Sequence, residues 1–107
     1  MTWTVTLTSH AELQLYDAAL WWAEHRSTEQ AVGWLDGFQE AIRQLCENAD
    51  RWPPAPERDH LPFDARQLLF GLGHKKTHRA IFEIRGDQVF VHLIRHLAQD
   101  TITEDDL

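Results

Sequence analysis

The chain has little of what pins many small proteins together. Of its 107 residues, one is cysteine, Cys46, so no intramolecular disulfide can form. Cys46 lies inside an apolar helical pattern and reads as a packed thiol rather than a nucleophile. No apolar run approaches the ~18 residues that would span a membrane. Met1 to His10 has neither a basic start nor an apolar stretch, so no signal peptide is read. These absences predict a cytoplasmic protein without a membrane association. There are only five glycines, no phosphate-binding glycine loop, no Ser-His-Asp order and no zinc signature.

What is present is a globular composition, 43% apolar and 25% charged, rich in tryptophan and phenylalanine with five of each. The length fits one domain, residues 1–107. The net charge of −7 is unevenly spread: residues 1–50 carry −6 and residues 97–107 carry −4, whereas residues 66–96 carry +4. An acidic chain with one basic segment is a poor nonspecific nucleic-acid binder but can still grip an anion locally.

Trp3, Val5 and Leu7 alternate with threonines, which predicts a half-buried strand. Ser9-x-x-Glu12 reads as a capping box opening a helix to about Arg26. Its core stripe is read as Leu13, Tyr16, Leu20 and Ala23, widened by Leu15, Ala19 and Trp22. Ser27-x-x-Gln30 opens a second helix, with the stripe Ala31, Leu35, Phe38, Ile42 and Leu45, ending near Ala49. The short connection predicts an antiparallel helical hairpin. Residues 51–63, with Pro53, Pro54, Pro56 and Pro62, read as a loop. Three strands follow: Arg66–Phe70, His78–Arg85 and Gln88–Arg95, the last two joined by Gly86-Asp87 as a type II′ hairpin. The fold class is therefore α+β, in the order β-α-α-β-β-β, with a mainly antiparallel small sheet and a helical hairpin packed on one face.

The turn sets a register. With Arg85 opposite Gln88, Ile84 faces Val89, Phe82 faces Val91 and Ala80 faces Leu93, an apolar side for the helices. The other side then carries Arg79, Ile81, Glu83 and Arg85 beside Ile94, His92 and Phe90, with His96 continuing it. On this register Arg79, His92 and His96, with Lys75 or Lys76, could hold a phosphate or carboxylate. A solvated face or a dock for an acidic peptide fits the same residues. Ile81, Phe90 and Ile94 call for a cover, either a chain terminus, a second subunit, a partner segment or residues 97–107 folding back. No metal is expected: His92 and His96, like His74 and His78, are four apart, roughly 13 Å along a strand.

Three stretches carry a family resemblance: Arg66-Gln-Leu-Leu-Phe-Gly71, His78-Arg-Ala-Ile-Phe-Glu-Ile84 and Val89-Phe-Val-His-Leu-Ile-Arg-His96. With Ala31, Trp34 and Leu35 in the second helix, the chain resembles the RelE/ParE superfamily, toxins of bacterial type II toxin–antitoxin systems, including the plasmid stabilization type. The resemblance implies a cognate antitoxin as partner, growth inhibition as activity, no cofactor, and a homodimer or toxin–antitoxin hetero-oligomer. RelE-like members cleave mRNA on the ribosome; ParE-like members bind DNA gyrase and are not nucleases. On a RelE-like reading Arg79, His92 and His96 would be catalytic. On either reading Arg66, Lys75, Lys76, Arg79, Ile81, Phe90, Ile94 and Arg95 would meet partner or target. His78 stands where the family often has tyrosine, no basic residues follow His96, and the chain is acidic. These departures favour the ParE-like branch over an endoribonuclease.

Overall fold

The computed structural model describes residues 2–99 and 101–107. Strand β1 (Thr4–Leu7) leads into helices α1 (Ser9–His25) and α2 (Thr28–Arg43), with a single turn α3 (Leu45–Asn48) extending the second. After the proline loop come β2 (Arg66–Phe70), β3 (His78–Arg85) and β4 (Gln88–His96). The sheet order is β1-β4-β3-β2, antiparallel except for β1, which runs parallel to β4. This is the predicted α+β architecture, and among the described residues no helix is long and apolar enough to cross a membrane.

Helix α1 starts one residue earlier than Ser9-x-x-Glu12 implied. Thr8 is the cap, and its hydroxyl oxygen accepts from Ala11 N at 3.1 Å. The buried face of α1 also differs from the expected one. Ala11 and Leu15 are buried, with Ala18 and Trp22 packed against the same core. Leu13 (64% exposed), Tyr16 and Leu20 (60%) instead face outward. Both sets recur at helical spacing; the face that packs carries mostly alanines, which let the helix lie close to the sheet. Helix α2 follows its reading at the cap, where Ser27 Oγ accepts from Gln30 N at 3.0 Å, and at Ala31, Phe38 and Ile42, all buried. Trp34 is buried where Leu35 was expected, and Leu35 is only partly buried. Cys46 is half-buried rather than fully packed.

The β3–β4 hairpin begins as expected. Gly86 has φ +62°, as the first turn position of a II′ hairpin needs, and Arg85 pairs with Gln88. Four pairs on, the register shifts. Phe82 faces Val91, but Ile81 faces Leu93, so His92 is the extra residue of a bulge. Every residue beyond it changes side. Ile94 now pairs with Ala80 and packs in the helix-side core, and His96 pairs with His78 on that side. Leu93 takes the opposite face with Ile81. The alternation left this open, because Ala80-Ile81 and Leu93-Ile94 are apolar at either register.

The face away from the helices is not bare. The proline loop and the C-terminal segment cover it with Ala55, Leu61, Ala65 and Ile102 over Ile81 and Leu93, flanked by Phe63. The larger core on the other face centres on Trp34, Phe38 and Phe82, all fully buried. Phe38 stacks on Phe70 at 4.8 Å and meets Trp34 edge-on at 5.4 Å.

Candidate functional site

Two surfaces compete for the role of functional site. The first is the face where Arg79, His92 and His96 were expected to converge; the bulge divides them. Arg79 is 8% exposed and forks onto the Glu57 carboxylate, Nη1 to Oε1 at 2.8 Å with Nη2 on Oε2. Gln67 Oε1 takes a further bond from Nη1 at 3.1 Å. Glu57 comes from the proline loop, where burial alone would raise its pKa. The Arg79 fork outweighs this and, helped by the Ile102 N–H, holds the carboxyl at about 2. The guanidinium therefore already has its anion. His92, at the bulge, contacts Glu83 Oε1 at 3.0 Å and stacks on Phe63 at 4.3 Å. His96 is on the other side of the sheet. Ile81 and Ile94 are buried, in different cores. Phe90 stays half-buried beneath Arg85, whose guanidinium carbon is 4.9 Å from the ring centroid. Arg66 is bound to the backbone, donating to Trp52 O at 2.7 Å. Arg95 meets Asp106 at 3.4 Å. Of these residues Lys75 and Lys76, in the β2–β3 loop, and His96, at the end of β4, are exposed.

The second surface was not singled out from the sequence. A groove of about 610 Å³ runs between α1 and the ends of β3 and β4, lined by Trp21, Trp22, Arg26, His78, His96 and Ile94 among others. It exists because β1 is short. β1 ends at Leu7 opposite Val91, so β4 beyond the bulge has no strand on its outer edge. Two glutamine side chains take the place of a neighbouring strand: Gln14 Oε1 accepts from Ile94 N at 2.8 Å, and Gln99 Oε1 accepts from His96 N at 2.7 Å. Both line the groove. Trp21, half exposed, stacks on His25 at 4.5 Å and walls one side. The Trp22 indole N–H is buried without an acceptor among the described residues. At the groove floor His78 packs 4.8 Å from Trp34 and 4.9 Å from His96, and its Nδ1 shares a 2.8 Å bond with Thr77 Oγ1. Burial, with His96 adding to it, lowers the His78 pKa to about 4, so the ring is neutral near pH 7.

Leu13, Tyr16 and Leu20 are also exposed on α1, and Val32 on α2, but the α1 residues lie on a face turned about 100° from Trp21. The groove itself is a partly open sheet edge beside the two tryptophans of α1. Its chemistry is that of binding a chain segment, with backbone donors, aromatic walls and apolar anchors. Among the described residues no three His, Cys, Asp or Glu side chains are grouped to hold a metal ion. Sequence reasoning named Tyr16, Leu20 and Trp22 as core and missed Gln14 and Gln99, whose roles follow from where β1 stops.

No family model matches the chain, and no curated protein does. Among solved structures it is similar to a chain of "Chromosomal ParDE TA system from P. aeruginosa", with a TM-score of 0.70 and 17% identity, over 89% of this chain and 96% of that one. A likeness at this identity establishes the fold, and the fold is ParE-like. The resemblance read from residues 66–71, 78–84 and 89–96 thus holds at the level of architecture.

Proposed function

We infer that the chain is the toxin of a type II toxin–antitoxin module, ParE-like, acting in the bacterial cytoplasm by binding its target and neutralised by a cognate antitoxin. The fold shared with a chain of the ParDE TA system carries this reading. Arg79 supports binding over cleavage. A phosphate-stabilising arginine must present its N–H groups to a substrate, and those of Arg79 are engaged by Glu57 and Gln67. DNA gyrase is the target that a ParE-like toxin implies. Lys75 and Lys76 are placed to contribute cationic contacts to it.

The groove beside α1 is the antitoxin's place in this reading. An extended segment would displace Gln14 and Gln99 from the β4 edge and pack an apolar side chain against Trp21 and Trp22. Induced expression in a bacterium tests the function. Growth should arrest, and co-expression of a cognate antitoxin, sought in the reading frame next to this one, should restore it. Codon-specific mRNA cuts in the arrested cells would replace the binding mechanism with a RelE-like endoribonuclease. Unimpaired growth would mark a chain that binds an antitoxin without toxicity.

A further inference from the structure

The C-terminal segment is attached as a ligand would be, not as a structural element. Its described residues pair with no strand and end in a single 3-10 turn, Glu104–Asp106. Ile102 is its apolar anchor, fully buried between the proline loop and the β3–β4 face against Ile81 and Leu93. Its backbone N–H donates to Glu57 Oε2 at 3.1 Å. Four residues on, Asp106 Oδ1 reaches Arg95 at 3.4 Å, and the Asp106 carbonyl lies 2.9 Å from His10 Nε2. Thr101, Thr103, Glu104, Asp105 and Leu107 are exposed.

What lies beneath is organised without the tail. Glu57 is held by the Arg79 fork, and the walls around Ile102 come from the proline loop and the sheet. Removing Ile102 would uncover an apolar socket with a carboxylate at its rim, ready for a backbone N–H, and with Arg95 at the far end. Charge adds one contact of opposite sign, Asp106 on Arg95.

We propose that residues 101–107 are an exchangeable cover over a peptide-binding groove. The partner that replaces the tail is an acidic segment carrying an aliphatic side chain and, four residues later, a carboxylate. The tail's own contacts define that chemistry: Ile102 in the socket, its N–H on Glu57, and Asp106 at Arg95. Tethering gives the tail an effective concentration on the order of millimolar, so a competing segment must bind well or meet a loosened tail. This surface lies across the sheet from the α1 groove and does not depend on the toxin reading.

Two measurements on the full chain test it. Hydrogen exchange followed by NMR should show the Ile102 N–H opening locally, at least 100-fold faster than the slowest amides of β3 and β4. Exchange of that amide only with global unfolding would overturn the proposal, since the tail would then be core. In the second, a labelled peptide with the sequence of residues 97–107 is titrated against the wild type and Ile102→Asp. Binding at least tenfold tighter to the folded variant is expected, and weaker again when Arg95→Glu is added. A folded Ile102→Asp chain that binds the peptide no better than wild type would overturn the proposal. If that variant does not fold, the exchange measurement decides.

Discussion

Glu57 and His78 show how a single residue changes meaning once its neighbours are known. In the sequence Glu57 is one carboxylate among the prolines of a loop, and nothing ties it to Arg79, 22 residues away. In the fold it neutralises the cation that a nuclease reading needs. Breaking a buried pair leaves a charge uncompensated, typically at a cost of ~3–5 kcal/mol. Glu57→Gln should therefore destabilise the chain strongly in urea unfolding, whereas replacing both partners with apolar residues should cost less. Acid should act through both groups. Glu57 falls from an ordinary 4.5 to about 2, and His78 from 6.5 to about 4. In each case the unfolded chain takes up the proton first, so stability rises with pH. The His78 contribution is lost as pH falls from about 6.5 to about 4, and that of Glu57 from about 4.5 to about 2. In His78→Phe, which keeps a ring beside Trp34 and Phe38, the urea midpoint should lose its dependence on pH between 6.5 and 4.5. An unchanged slope would show that His78 is not the group responsible.

At the scale of elements, the sequence was most legible where one pattern had no rival. Helix α2 has a single apolar stripe, and the Gly86-Asp87 turn has a single hairpin geometry; the turn formed as read, and the stripe did except that Trp34 is buried ahead of Leu35. Helix α1 has two stripes. Propensity cannot choose between Leu13-Tyr16-Leu20 and Ala11-Leu15-Ala18-Trp22; contact with the sheet does. The bulge at His92 is hidden for a related reason, since paired apolar residues on both strands satisfy either register. Mutation separates the two faces of α1. Leu15→Ala should cost about 2–5 kcal/mol. Leu13→Ala and Leu20→Ala should each stay within about 0.5 kcal/mol by urea denaturation. On the docking reading, Trp21→Asp should leave the fold intact and weaken antitoxin binding at least tenfold by calorimetry. Equal affinity for wild type and variant would place the antitoxin elsewhere.

For the molecule as a whole, element order and fold class were readable because strands, caps and turns are local signals. The candidate site was less so, because it is made by absences. β1 stops opposite Val91, five residues before β4 ends at His96, and α1 turns its second apolar stripe outward. Neither fact belongs to any residue that carries chemistry. The basic face that did attract attention is closed by the chain's own Glu57, Ile102 and Asp106. On the function proposed above, the chain is a toxin that binds rather than cuts, held in check by a second protein. Growth after induced expression, with and without a cognate antitoxin and with mRNA 5′ ends mapped in the same cultures, tests it most directly. The account predicts arrest with intact mRNA, reversed by the antitoxin. Codon-specific cleavage, or growth unaffected by expression, would contradict it.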